Sequence, residues 1–579
     1  MKKWIFIFVL FLLKIHNAQN DTIKIKIWDQ FAFLPDSGVY NVFLGGPGYI
    51  SKSLLYQASI LKLADGPFFM NSQPDLPEIR TTIPLVDAQY ILGDELEQNL
   101  ALYHSQPISL RSDYAISFLK RSHDGYFLRQ QTNANYFQTR FTNYSKSDKY
   151  CISLGIKHHR QYLDLNGGLT DDSTFINQSD LINRKLLNVN MDHSYSNDKL
   201  WQFNIQQSRK FNRNKLDTNQ SGDIFNKISW MSSYSWSLKN YYDSLVSNDF
   251  TYNYFDTVRS CDSLLKNKWS NNLSIEFNRN TDSSIRHFSV NLNTTAISHY
   301  NHLLDTLIMN HSFSFDYYKS INNKKFKAFA SYYPIGFRKE NFDILFQFDK
   351  VISDLVLLNT KMEINRITPA LEISTYYSNH FTWNNTKDPL LYFCLSGGIQ
   401  VGSINLSSNY SETYDPIYFD LLGHPVQYQG NAQVIQSAIS HYLKKKNFKL
   451  TSEIIYQYQG GAQIYQLPEW IGSVKINYII KPKNDGFLID LGMNNRFFSE
   501  YALMDYKVPT NVFAVNQDRM QPNYFYTDLT AKAQIKSVTI YAMLTHLNAG
   551  FLGYNYFAAL HYPSIDRYFK FGLKWLFLN

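Results

Sequence analysis

Tyr568-Phe569-Lys570-Phe571-Gly572-Leu573-Lys574-Trp575-Leu576-Phe577-Leu578-Asn579 is the stretch on which the fold turns. Each odd position from Phe569 to Phe577 is large and apolar, while the even positions run Lys570, Gly572, Lys574. Side chains alternate across a strand, so this one has two faces in different surroundings. A strand of a transmembrane barrel turns its apolar face to lipid and its polar face to a wet lumen. A half-buried terminal strand of a soluble sandwich alternates in the same way, and the rest of the chain has to decide between them.

The same period returns along the chain. Leu187–Asp192, Trp201–Gln206 and Leu273–Asn278 alternate without error. In Trp230–Leu238, Trp230, Tyr234, Trp236 and Leu238 share one face, and Met231 with three serines takes the other. Similar runs follow at Phe288–Leu292, Phe342–Phe348, Leu371–Tyr377, Leu450–Tyr458, Val474–Ile480 and Phe487–Met493. Polar turns separate them, among them Asn322–Lys325, Lys444–Asn447 and Pro482–Gly486. No long segment carries apolar residues at helical spacing, and no repeat of 20–50 residues is evident. A long chain of short strands must deal with its sheet edges, and closure into a barrel removes them. In lipid, closure is also the only β arrangement that pairs every backbone group.

Composition agrees. Met1-Lys2-Lys3, the apolar run Trp4–Leu13 and the polar Lys14–Gln19 read as a secretory signal peptide, residues 1–19, too short to span as a helix. Beyond it no run approaches the length of a transmembrane helix. Without Lys2, Lys3 and Lys14 the chain has 53 basic against 48 acidic residues, too even a balance for a nucleic-acid binder. A mean hydropathy of −0.33 is compatible with a barrel, whose lumen and loops dilute the lipid face. The 43 Tyr, 42 Phe and 9 Trp suit the two membrane interfaces. Cys151, Cys261 and Cys394 are too few and too far apart for a disulfide framework or a metal knuckle.

A family resemblance enters at Pro84–Gln106, through Tyr90-x-Leu92-Gly93, Glu97-Gln98 and His104-x-Gln106. With Gly125-Tyr126-Phe127, Gln130, Thr132-Asn133 and Asn135, it resembles the putative porin family of outer-membrane proteins from Bacteroidetes-type bacteria. Asn166-Gly167-Gly168, Asp171-Asp172, Phe175 and the closing Arg567–Trp575 are similar too, whereas Val86 departs from the small polar residue expected there. The likeness implies an outer-membrane barrel and no catalytic residues.

Chemistry motifs are sparse. His158 and His159 are adjacent and so fall on opposite strand faces, and His104 stands alone. No HxH or HExxH spacing, nucleophile elbow or phosphate loop occurs, so no catalytic, cofactor or metal residues are expected. Glu276, Asp343, Glu372, Glu453, Lys475 and Asp490 oppose apolar faces and are expected as wetted wall residues that bias ion selectivity.

The sequence therefore predicts an all-β, antiparallel transmembrane barrel over residues 81–579, with roughly 16 to 22 strands, after a pre-barrel or lumen segment at 20–80. It predicts a non-enzymatic porin-like channel in the outer membrane, passing small hydrophilic solutes. Its expected partners are membrane lipid, the barrel assembly machinery and those solutes, and not nucleic acid. A plugged, energised transporter is one alternative, for which the ~60 residues before Arg80 look too few; Asp21–Ile25 loosely resembles such a transporter's periplasmic box. A secreted β-rich binding protein is the other.

Overall fold

The computed structural model describes residues 41–44, 50–56, 76, 83–215, 222–244, 253–281, 284–482 and 486–578. The expected signal peptide, the Asp21–Ile25 stretch and most of the 20–80 segment lie outside the described residues. The remainder is a closed barrel of 22 strands, all antiparallel, each paired with its sequence neighbours. It closes where the first strand, Leu85–Gly93, pairs with the last, Tyr568–Leu578, in the register Leu85↔Leu578 to Gly93↔Lys570. The other strand of this first group is Gln98–Ser109, paired to Leu85–Gly93 on its free side.

The two ends of the barrel differ. At one end the strands are joined by tight turns such as Leu110-Arg111, Asn322-Asn323, Lys446-Asn447 and Lys536-Ser537. Positive φ angles at Asn322 (49°), Lys446 (50°) and Lys536 (53°) suit hairpin turns that match the strand twist. At the other end lie the long connections, including 165–193, 368–389, 415–430, 499–523 and 546–567. Outer-membrane barrels place short turns in the periplasm and long loops outside, which orients the molecule.

Alternation does what the sequence implies. Phe569, Phe571 and Trp575 project outward with 40–48% of their surface exposed, while Tyr568 and Gly572 on the other face are buried. Leu273, Ile275, Phe277, Leu292, Phe313 and Phe315 carry the same apolar band on the far side of the barrel. Such an uncovered belt is the surface that lipid covers.

Two expected strands are not barrel strands. Leu187–Asp192 is a loop held by one bridge, Leu169↔Val189, and its alternation serves to bury Val189 and Met191 against the loop core. Leu371–Tyr377 divides into a single helical turn, Leu371–Ser374, and a short strand, Thr375–Tyr377, paired with Thr382–Asn384. Extended loops packed on one side alternate as strands do, so period alone cannot separate them.

Candidate functional site

The long loops fold together into a cap with its own core. At its centre Arg184, fully buried, spends all five of its N–H groups. Its Nε donates to Asp566 Oδ2 at 3.1 Å and its Nη2 to Asp566 Oδ1 at 3.2 Å, a bidentate ion pair with no exposed atom. Nη2 also donates to Tyr556 Oη at 3.2 Å, and Nη1 to the carbonyls of Phe175 and Gln178 at 2.7 and 2.9 Å. The guanidinium lies 3.7 Å from the Phe175 ring centroid and 3.9 Å from that of Tyr554. Tyr556 donates to Asp566, and burial followed by that carboxylate pushes its phenol well above the usual range. Phe127, Phe557 and Phe175 stack edge to face around this pair.

The barrel seam is tied into the cap. The Tyr568 hydroxyl lies 2.7 Å from Glu97 Oε2, 2.8 Å from the Asp94 carbonyl and 3.0 Å from His123 Nε2. Lys570 Nζ pairs with Glu97 Oε1 at 3.0 Å, and Lys574 Nζ with Asp87 Oδ2 at 3.4 Å. A Cβ on Gly572 would run into the Tyr541 ring, and one on Gly93 into the Glu97 carboxylate, so both positions need glycine. Parts of the stretches that carried the resemblance thus meet at the loop end, while His104 and Gln106 bond Tyr114 at the turn end. Glu97, Gly125–Phe127, Phe175 and Tyr568 were far apart in sequence and are neighbours here.

The pre-barrel segment is fastened to the inner wall. Tyr56 N donates to Gln457 Oε1 at 2.9 Å, while Gln457 Nε2 donates to Leu54 O at 3.1 Å and Pro468 O at 2.9 Å. Leu54 is wholly buried among cap residues, and the hairpin of Asn41–Leu44 with Ile50–Ser53 lies beside Phe557–Ala559. Twenty residues on, Leu76 O accepts from Arg140 Nη1 at 3.2 Å. Gln457 stands near the loop end of its strand and Arg140 near the turn end of its own, so Leu54–Tyr56 and Leu76 are held toward opposite ends of the lumen.

The opposite wall is different in kind. Three strands of 22 residues, Ser194–Lys215, Gly222–Asp243 and Ser260–Thr281, with Ser284–Tyr300 and Asp305–Ile321, present an inner face of serine, asparagine and lysine. It lines a partly open cavity of about 640 Å³ under the cap, with Ser233, Ser270 and Asn293 on the wall and Ala370–Glu372 above. Glu372 descends from the loop helix, with Trp383 Nε1 donating to its carbonyl at 3.0 Å. Its carboxylate lies 3.2 Å from Lys266 Nζ and 3.3 Å from His299 Nδ1. Burial alone would raise this carboxyl, but Lys266 and His299 outweigh it and lower it to about 2.

The expected wall residues divide accordingly. Glu276 is on the inner wall, bonded to Lys227 at 3.0 Å and Ser229 at 3.1 Å. Asp343 accepts from Ser331 at 2.7 Å and Asp490 from Asn477 at 2.6 Å. Glu453 and Lys475 share the inner face of adjacent strands. Glu372 does not belong with them: it is a fully buried ion partner in the cap, because its stretch is a loop and not a strand. His158 stacks on Trp201 outside, 4.0 Å between centroids, and His159 points in, as adjacent strand residues must. His104 meets the Tyr114 hydroxyl at 2.8 Å. Among the described residues no group of three His, Cys, Asp or Glu side chains could hold a metal. Sequence reasoning missed the Arg184–Asp566 pair, whose partners are 382 residues apart, and the Gln457 clasp.

A family model described as putative porin matches residues 20–579. The chain belongs to the putative porin family. No curated protein matches the sequence. Among solved structures this porin-family barrel is similar to the ferric-catecholate import receptor Fiu of E. coli K12, at 11% identity and a TM-score of 0.57, covering 86% of this chain and 82% of that one. The siderophore receptor PirA of Acinetobacter baumannii gives 9% and 0.61, covering 86% and 81%. The copper transporter OprC gives 9% and 0.61, covering 87% and 82%. At these identities the likeness is one of fold. The porin-family chain is an outer-membrane β-barrel transport protein.

Proposed function

We propose that this barrel is a gated conduit for small hydrophilic solutes, closed at rest by the cap and the pre-barrel segment. Gln457 carries the reading: one wall amide binds Leu54 and Tyr56 of the pre-barrel segment at the level of the cap. Barrels of this strand number enclose a lumen wide enough to need a plug. The clasped segment is short, and the cap supplies the remaining closure through its buried core. The solved structures it resembles are import receptors and a metal transporter, which favours a regulated lumen over a permanently open one. The polar wall between Ser194 and Ile321 is the path left for solute.

Liposome swelling tests this directly. Intact protein, its insertion verified by heat-modifiable gel mobility, should admit arabinose or glucose slowly, and a variant lacking 20–80 should admit them several-fold faster. Rapid swelling with the intact chain, unchanged by the deletion, would return the reading to an open diffusion porin.

A further inference from the structure

We infer that the chamber between the Ser194–Ile321 wall and the Glu372 helix is a binding site for a hydroxylated organic anion, a sugar acid or its equivalent. The inference rests on the transport reading and names the class of solute. At about 640 Å³ the chamber is of the size that holds one small organic molecule. Its inward-facing charges are Lys266, Lys268 and Arg338 against Asp198 and Glu372, an excess of one positive charge without counting the histidines; Lys199, paired with Leu238, is on the outer face. The charged groups sit in a protein-walled space, where an anion is drawn in more strongly than in open water.

The rest of the lining is hydroxyl and amide. Ser233, Ser235, Ser237, Asn293, Asn310 and Ser312, from three strands of this wall, share its inner face. Such groups both donate and accept, which is what a run of solute hydroxyls requires and a bare inorganic anion does not. Three residues of the lining hold buried polar atoms that make no hydrogen bond among the described residues: Glu372 Oε2, both ring nitrogens of His159, and His299 Nδ1, which has only its ion-pair contact with Glu372 Oε1. Buried polar groups are nearly always satisfied, by protein or by something bound. A solute hydroxyl donating to Glu372 Oε2, with the anionic end toward Lys268 and Arg338, uses both features. Glu372 is fixed at this roof by Lys266, His299 and the Trp383 bond to its carbonyl, so the acceptor is placed before the solute arrives.

The test is equilibrium dialysis of the full-length protein in detergent against labelled gluconate, glucose and inorganic phosphate, run long enough that slow passage does not limit the result. Gluconate should bind at one site, with glucose and phosphate each at least ten-fold weaker. Lys268→Met, checked for folding by gel mobility, should weaken gluconate at least five-fold. Raising NaCl from 50 to 500 mM should weaken gluconate on the unaltered protein too, a second reading independent of the variant. Glucose binding as well as gluconate would overturn the charge assignment, and phosphate binding as well would overturn the hydroxyl assignment. No binding of any of the three would remove the site. Because dialysis needs no open pore, each of these results is separate from the swelling experiment.

Discussion

The two sides of the lumen are built from strands with the same outer face and opposite inner faces. From Leu85 to Asp164, and again from Tyr524 to Leu578, the inward residues meet other protein: Tyr103, Tyr541 and Tyr568 are buried, and Asp87 and Glu97 have lysine partners. From Ser194 to Ile321 the inward residues are mostly small and polar and surround a chamber. Lipid imposes one requirement on every outward position, so alternation recurs around the whole barrel. Nothing imposes a common requirement on the inward positions. Their composition records what each meets, packed protein on one side and water or solute on the other.

The largest test of that contrast is the cap's ion pair. Arg184→Met leaves Asp566 buried without its partner, a loss of about 3–5 kcal/mol. Hydrogen exchange should show the loops 165–193 and 546–567 losing protection while the gel-shifted barrel persists. Lys268→Met on the polar wall should leave exchange there within about 0.5 kcal/mol of the original. Equal effects from the two would mean the inner walls do not differ as described.

A second test sets outer face against inner. Ile275→Arg on the lipid side should cost about 2–4 kcal/mol and impair assembly. Ser270→Arg, five residues away on the same strand but facing the chamber, should assemble normally and fill the cavity. If the two fail alike, the face assignment in this strand is wrong.

The cap should also respond to acid. Burial, in the first place, holds His546 down at about 4 from its ordinary 6.5; Asp566 and Asp528 favour its protonation, and Arg496 opposes it. Its ring accepts or donates to Tyr524 Oη at 2.7 Å and Ile565 O at 2.6 Å. A histidine with a depressed folded value binds its proton first in the unfolded loop. Its contribution is therefore complete above pH 6.5 and is lost as pH falls toward 4, about 3 kcal/mol at most. Exchange of the 546–567 loop should accelerate across that window, and His546→Gln should flatten the response. Unchanged acid sensitivity in that variant would place the trigger elsewhere.

The smallest expected effect is at the clasp. Gln457→Ala removes hydrogen bonds to Leu54, Tyr56 and Pro468, worth about 1 kcal/mol each. Proteolysis within residues 41–56 should quicken a few-fold without change in the barrel.

How far the sequence reaches follows from the same contrast. The closing strand, the runs Trp201–Gln206, Trp230–Leu238 and Leu273–Asn278 inside the wall strands, and the opposition of His158 to His159 were legible, because lipid makes period 2 obligatory on one face; the 22-residue lengths were not. Leu371–Tyr377 and Leu187–Asp192 misled, because loops packed on a core alternate too. The Arg184–Asp566 pair and the Glu372 cluster were invisible: their partners come together only when the barrel closes and the loops fold inward. The resemblance pointed to the right residues around Glu97, Phe175 and Tyr568 without the physical reason, which is that they are the seam and the cap core.

The central claim is that cap and pre-barrel segment together close a wide lumen, and planar-bilayer recording measures that most directly. Intact protein should insert, as verified by gel mobility, and stay nearly silent with brief openings. The variant lacking 20–80 should give larger steps, and the same deletion combined with Arg184→Met should give large, stable, ohmic ones. Large ohmic steps from the intact chain, equal to those of the double variant, would contradict the account.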